Sequence, residues 1–336
     1  MEIVNNLSLI IPAYNCAKTI QRCLDSIFKQ TRLPHEIIVV DDCSTDNTCC
    51  FISDPRVEII KMPSRSYQSA ARNAGAKKAS GDILLFVDSD IELKPDNIEQ
   101  ALSSLMGRGV AAVVGVYDEF GASKGLIGRY KNMHMAFNQI ASAELISWTN
   151  ASFLMVRKDA FVMAGGFNEN MKESICEDLN FGLKFTRCGQ KIFLDKNVKI
   201  IHHKDITLSG FVRTEYKRSK SIAGIAMSNL FSGRVTQWPV RLSFKMLSLF
   251  TIVLYFCLAA VLLLKISQTF VLTPALIIFV LSLPFVFFAA AKSGIFFSLA
   301  SFFILLLDVN ICIIATLIES PGIFIKEAIN ASRKLS

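Results

Sequence analysis

Gly81-Asp82-Ile83-Leu84-Leu85-Phe86-Val87-Asp88-Ser89-Asp90 is the stretch that decides the fold. Ile83 to Val87 is an unbroken apolar run, too short for an ordinary helix and rich in branched and aromatic residues, which predicts a strand buried on both faces. It stops at two carboxylates. Positions i and i+2 of an extended backbone share a face, so Asp88 and Asp90 repel each other unless something positive sits between them. A divalent cation, Mg2+ or Mn2+, meets that need, because such hard ions take one or two carboxylates and fill their other positions with water and phosphate oxygens. The competing reading is a strand that ends in a solvated acidic turn.

The flanking chain repeats the pattern. Leu7 to Ile11 predicts a strand closed by the turn Pro12-Ala13-Tyr14-Asn15, and Ile20, Leu24, Ile27 and Phe28 recur at helical spacing behind it. Glu36 to Val40 is a second buried strand, ending in Asp41-Asp42-Cys43, and Val57 to Ile60 a third. Tyr67 to Ala79 predicts a helix carrying Arg72, whose charge could answer a phosphate or simply face solvent. Alternating strands and helices imply an α/β domain with a parallel sheet, and ligands of such sheets bind beyond the carboxyl ends of the strands. Asn15, Asp41, Asp42, Asp88 and Asp90 all fall there. Asp42 suits the N–H donors of a nucleotide base, and Asp41 a turn or a ribose contact.

Farther along, a helix is expected over Asn97 to Met106 and strands over Val110 to Val116 and Trp148 to Val156, with Asp118 to Gln139 an aperiodic connection or loop between them. Gly165-Gly166-Phe167 reads as a tight turn after a short helix. Glu177 and Asp178 open an amphipathic helix, where acidic residues ordinarily serve the helix dipole, yet a carboxylate in that position also suits a general base that takes a proton from a hydroxyl. His202 and His203, after the strand Val198 to Ile201, are candidate metal or diphosphate ligands or plain turn residues.

Hydrophobic residues make up 52% of the 336 positions, and the excess lies at the end. Met246 to Leu264 and Ile266 to Ala291 carry no charge and are each long enough to span a bilayer, and the pattern continues to Ile318, interrupted by Asp308 and Asn310. An aspartate there is costly unless it faces protein or water. The net charge is +8. Beside hydrophobic spans it points to an anionic membrane surface, not to nucleic acid. Arg213, Lys217 and Arg218 begin a basic stretch interleaved with Phe211, Val212 and Tyr216, which reads as an interfacial segment facing head groups or an acceptor phosphate, or as a positive flank that keeps the preceding residues cytoplasmic. No cleavable leader is expected, since the first apolar run stops at Pro12. Nine cysteines at irregular spacing suggest neither disulfides nor zinc. The expected plan is a catalytic domain over 1–210, a basic segment over 211–243, about three membrane helices over 244–320 and a tail over 321–336.

Taken together, Leu9 to Asn15, Val40 to Asp46, Ala71-Arg72-Asn73-Ala74-Gly75, Asp88-Ser89-Asp90, Asn150-Ala151-Ser152-Phe153 with Gly165-Gly166-Phe167, and Glu177-Asp178 resemble the inverting glycosyltransferases of family 2, in the family's order. The resemblance implies a GT-A fold and transfer from a UDP- or GDP-sugar. It places the nucleotide on Pro12, Tyr14 and Asp42, the metal and diphosphate on Asp88 and Asp90, and the general base at Asp178. Two positions depart from the pattern. Cys43 stands where the family usually has glycine. Gln237-Trp238-Pro239-Val240-Arg241 only scrambles the Gln-x-x-Arg-Trp motif of processive synthases, which favours a single transfer to a lipid acceptor such as a polyprenyl phosphate or a glycolipid. The alternatives are a processive synthase, an inactive membrane scaffold, a transporter subunit and a nucleotidyltransferase; the last lacks the glycine-rich phosphate loop it needs.

Overall fold

The computed structural model describes residues 6–171, 176–231, 242–265 and 267–335. Two compact units divide the chain: residues up to 123 with 138–205, and 124–137 with the residues from 206 onward.

In chain order the first unit runs β1 (Leu7–Ala13), α1 (Ile20–Phe28), β2 (Glu36–Asp41), a 3-10 turn (Thr48–Phe51), β3 (Val57–Lys61), α2 (Tyr67–Lys78), β4 (Ile83–Val87), β5 (Ile91–Leu93), α3 (Asn97–Gly107) and β6 (Ala112–Tyr117). After α4 (Leu126–Ile140) come β7 (Leu145–Ile146), β8 (Phe153–Arg157), α5 (Lys158–Met163), α6 (Glu177–Arg187) and β9 (Ile192–His202). The strands form one sheet in the order β3-β2-β1-β4-β8-β6-β9-β5, with β7 against β9. Strands β1 to β4 are parallel to one another where they pair, but β8 pairs antiparallel with both β4 and β6, so the sheet is mixed and not wholly parallel as the alternation suggested.

Every residue of β4 is buried, as its unbroken apolar run requires. The core is continuous from Ile10 and Ile38 through Phe86 and Leu154 to Phe161, Phe167, Phe181 and Phe185, whose rings tilt against one another at 4.8–5.7 Å. Gly75 and Gly182 allow two close approaches: a Cβ at 75 would stand 2.4 Å from Ile10 Cγ2, and one at 182 would stand 2.6 Å from the Thr149 backbone nitrogen.

Sequence and structure differ in three places. The segment expected to be an aperiodic connection contains the 15-residue helix α4; its polar side chains hide the periodicity because several are buried. The strand expected from Trp148 starts only at Phe153, since residues 149–152 turn to make side-chain contacts. Strand β9 begins six residues before the expected Val198, carried through polar residues by a register shift opposite Gly115 and Val116.

The second unit adds α7 (Leu208–Phe231), α8 (Leu242–Leu264), α9 (Thr269–Ser293) and α10 (Ile295–Leu335). Three stretches, Leu242–Leu264, Thr269–Ser293 and Ile295–Ile325, are helices long and apolar enough to cross a membrane. Asp308 is 7% exposed and faces protein, as an acidic residue in such a helix must. Its Oδ2 accepts the Tyr130 hydroxyl at 3.1 Å and lies 3.5 Å from His134 Nδ1. Lys131 pairs with Glu215 at 2.9 Å. On α7, Arg213 and Lys217 are exposed and Arg218 is half-buried, 3.6 Å from Glu215. The scrambled Gln237 to Arg241 segment lies outside the described residues.

Candidate active site

The loops leaving β1 and β2 are tied together before any ligand arrives. Asn15 adopts φ +48, and its Oδ1 accepts the Thr45 and Asp46 backbone N–H groups at 2.8 and 3.3 Å while its own N–H donates to Ser44 Oγ at 3.0 Å. Asp41 Oδ1 accepts the Ser44 N–H at 3.0 Å, closing the turn from the other side. Cys43 takes φ +63, a left-handed conformation that favours glycine, so the side chain bears the strain. Its thiol donates to the Met62 carbonyl at 3.2 Å. Pro12 is buried within β1 opposite Val40.

Asp42 is 2% exposed. Its two oxygens accept the Ser66 and Tyr67 N–H groups at 2.6 and 2.7 Å, and it pairs with Arg65. The Arg65 guanidinium in turn lies over the exposed Tyr14 ring, 3.6 Å from its centroid, and 4.7 Å from that of Tyr67, which adopts φ +66. An aromatic face, a cation and a buried carboxylate thus meet at the end of β1 and β2, an arrangement suited to a planar base. Sequence reading missed Arg65 because Ser64-Arg65-Ser66 has the look of an ordinary polar loop.

Asp88, Ser89 and Asp90 lie beyond the last residue of β4, in the turn that leads to β5, so the two carboxylates are separately housed. Asp88 Oδ1 accepts Arg72 Nη2 at 2.7 Å and its Oδ2 accepts the Ser152 hydroxyl at 2.8 Å. Asp90 Oδ2 is 3.3 Å from His202 Nε2, and the Asp90 carbonyl accepts the His203 N–H at 2.8 Å. Burial raises the pKa of Asp90, but the His202 hydrogen bond and charge outweigh it and the net shift is downward. His203 is fixed by Glu92 at 2.6 Å and by Arg22 at 2.8 Å, so it supports the loop while His202 faces Asp90.

The donor set tests whether a cation fits. Among the described residues no three acidic, histidine or cysteine side chains gather as a closed metal site. Both oxygens of Asp88 are taken, which leaves Asp90 and His202 as two adjacent ligands. That is the donor count expected of Mg2+ or Mn2+ held partly by phosphate and water, so the residues fit.

Arg72, read as a nucleotide-sugar phosphate contact or a solvent-facing cation, is instead fully enclosed, 2% exposed, because α2 packs this face against the sheet. Its Nη1 donates to Glu177 Oε1 at 2.8 Å, and it lies 5.3 Å from the Phe167 ring centroid. Asp178 Oδ1 accepts the Leu179 N–H at 2.7 Å and its Oδ2 the Ala151 N–H at 3.4 Å, while its carbonyl accepts Thr149 Oγ1 at 2.5 Å. Burial and the charge of Glu177 push Asp178 up to about 7 against the pull of Arg72 and two backbone donors. Ser152 Oγ also meets the Tyr117 hydroxyl at 2.8 Å; sequence reading singled out neither side chain, although Asn150 to Phe153 marked the segment.

Residues 8–169 match the family model described as glycosyl transferase family 2. Over those residues the chain is similar to that family, and the fold of its sheet domain is GT-A. It is 32% identical over 196 residues to a chondroitin synthase of Pasteurella multocida, covering 56% of this chain and 20% of the synthase. It is 27% identical over 237 residues to the Escherichia coli UDP-Glc:alpha-D-GlcNAc-diphosphoundecaprenol beta-1,3-glucosyltransferase WfgD, covering 70% of this chain and 84% of that enzyme. Among solved structures, the mannosyltransferase PcManGT from Pyrobaculum calidifontis, in complex with GDP-Man and Mn2+, superposes with a TM-score of 0.55 at 18% identity over 97% of this chain and 86% of that one. The chain thus spans about a fifth of the synthase's length.

Proposed function

We propose that the protein is a membrane-bound inverting glycosyltransferase that moves one sugar from a nucleoside diphosphate sugar, a UDP- or GDP-sugar, to a lipid or lipid-linked acceptor. The observation that carries this reading is a carboxylate, Asp178, raised to about 7 and accepting the Ala151 N–H, next in the chain to Ser152, whose hydroxyl donates to Asp88. A base poised near neutral pH beside a cation-binding acid is what direct displacement at an anomeric carbon needs.

In this reading Tyr14, with Asp42 behind it, receives the base, and Pro12, Asn15 and Asp41 shape the turn around it. Asp90 and His202 would hold Mg2+ or Mn2+, which when bound would offset charge on the departing diphosphate. Asp178 takes the proton of the attacking hydroxyl on the face of the sugar opposite the leaving group; where the acceptor is already an ionised phosphate, Asp178 positions it. PcManGT was solved with a GDP-sugar and Mn2+, and WfgD is named for a diphosphoundecaprenol acceptor; both support the donor and acceptor classes. Three apolar helices favour an acceptor in the bilayer, and Arg213, Lys217 and Arg218 on α7 suit anionic head groups. The basic flank favours a cytoplasmic catalytic domain on the inner membrane.

Nucleotide release from UDP- and GDP-sugars by the full-length protein in detergent with Mn2+ tests the reading. The wild type should release nucleotide and Asp90→Ala should lose at least 100-fold; equal rates for the two would remove the cation role of Asp90.

A further inference from the structure

Arg72 sits in a closed ring of contacts. From Glu177 the ring passes through the Arg72 guanidinium to Asp88, from Asp88 to the Ser152 hydroxyl, along the backbone to the Ala151 N–H, and from there to Asp178, the neighbour of Glu177. Its members come from α2, from the turn after β4, from the residues before β8 and from the start of α6. An arginine serving as a phosphate contact must present amino groups to the cleft. This one is 2% exposed, its two amino groups are each given to a carboxylate, and its Nε has no hydrogen-bond partner. Burying a cation without a ligand is costly unless its charge is met, and here two acids meet it. Neither acid can move without leaving a buried charge, so the start of α6 is fixed relative to the turn that carries Asp88 and Asp90.

We propose that Arg72, with Glu177 as its partner, is a positioning residue that locks the Asp178 carboxylate in register with the donor-binding turn, and that it makes no contact with the nucleotide. The part concerning Asp178 rests on the reading of that residue as the base. Glu177 is then a strut, and its side chain does not touch substrate. A lysine at 72 would keep the charge but could not bridge two acids in a fixed plane, because only the guanidinium offers paired, rigidly spaced donors.

Two measurements on the full-length protein in detergent decide it. The first needs no donor: thermal unfolding of Arg72→Met, Glu177→Gln and the double variant. Because Glu177→Gln removes one of the charges that Arg72→Met strands, the double variant should melt higher than Arg72→Met alone; midpoint shifts that simply add would overturn the ring. The second compares affinity for UDP and GDP in Mn2+ with turnover of the corresponding sugars. Arg72→Lys should bind the nucleotide within threefold of wild type while turnover falls at least tenfold, and Glu177→Gln should move the acid limb of the turnover profile to lower pH. Nucleotide affinity lost tenfold with turnover kept, or a uniform loss at every pH, would overturn the proposal. A wild type that turns over no nucleotide sugar would instead remove the transferase reading, and the unfolding comparison would still decide the ring.

Discussion

Replacing Asp178 with asparagine should stabilise the protein at pH 8 while it removes activity, and the gain should vanish in acid. The carboxyl ordinarily ionises near 3.8, and burial with the adjacent Glu177 charge holds it at about 7 in the fold. Below 3.8 the group is protonated whether the chain is folded or not, so it contributes nothing. Between the two values the unfolded chain ionises and the folded one does not, and stability falls as the pH rises. Above 7 the fold carries the whole penalty, at most about 4 kcal/mol when each pK unit is worth about 1.4 kcal/mol. Asparagine keeps the oxygen that accepts the Leu179 N–H and carries no charge, so it should recover part of that penalty. Thermal midpoints of wild type and Asp178→Asn at pH 4.5 and pH 8 supply the test. The gap in favour of the variant should be small at pH 4.5 and much wider at pH 8. A gap of the same size at both pH values, or a variant less stable at pH 8, would refute the account of why this carboxyl is a base.

The same shift sets a pH profile: with Asp178 about one-tenth ionised at pH 6 and nine-tenths at pH 8, turnover to a hydroxyl acceptor should rise about tenfold across that interval, measured as nucleotide release. Gly182→Ala should cost more than 2 kcal/mol and lower turnover, since its Cβ would meet the Thr149 backbone nitrogen at 2.6 Å and drive α6 away from residues 148–149; a melt within 1 °C of wild type would remove this packing argument. Cys43→Gly should be neutral or more stable by up to about 1 kcal/mol, because the φ of +63 costs cysteine more than glycine, whereas Cys43→Val should destabilise. Asp308→Ala should lower the melting midpoint by the equivalent of about 1–3 kcal/mol by leaving the Tyr130 hydroxyl only its longer contact, 3.4 Å, with His134 Nδ1.

Much of the catalytic unit was legible because apolar runs that end abruptly in polar residues locate strands and their ends together. Ile83 to Val87 and Glu36 to Val40 marked both a strand and a candidate site residue in this way. Helix α4 was not legible, since Lys131, Asn132 and Gln139 are buried polar residues and break the apolar stripe from which a helix is read. The antiparallel placement of β8 between β4 and β6 was hidden as well, because pairing partners depend on the path of the chain and not on a strand's own sequence. In the site, residue types were visible and their partners were not. Arg72 read as a phosphate contact or a solvent-facing cation because its helix has little amphipathic pattern, and only the fold shows that two acids from distant segments enclose it. Cys43 was a visible departure from the glycine that the resemblance implies, and the structure puts it in the left-handed conformation that glycine adopts most readily.

The most direct measurement is the mass of the product. Detergent-solubilised wild type incubated with UDP- and GDP-sugars, Mn2+ and native lipid extract should yield a lipid heavier by a single sugar residue, dependent on one donor and absent with Asp178→Asn when the acceptor is a hydroxyl. Nucleotide-sugar left intact with every donor, or product formed equally well by Asp90→Ala, would contradict a cation-assisted transfer at this site.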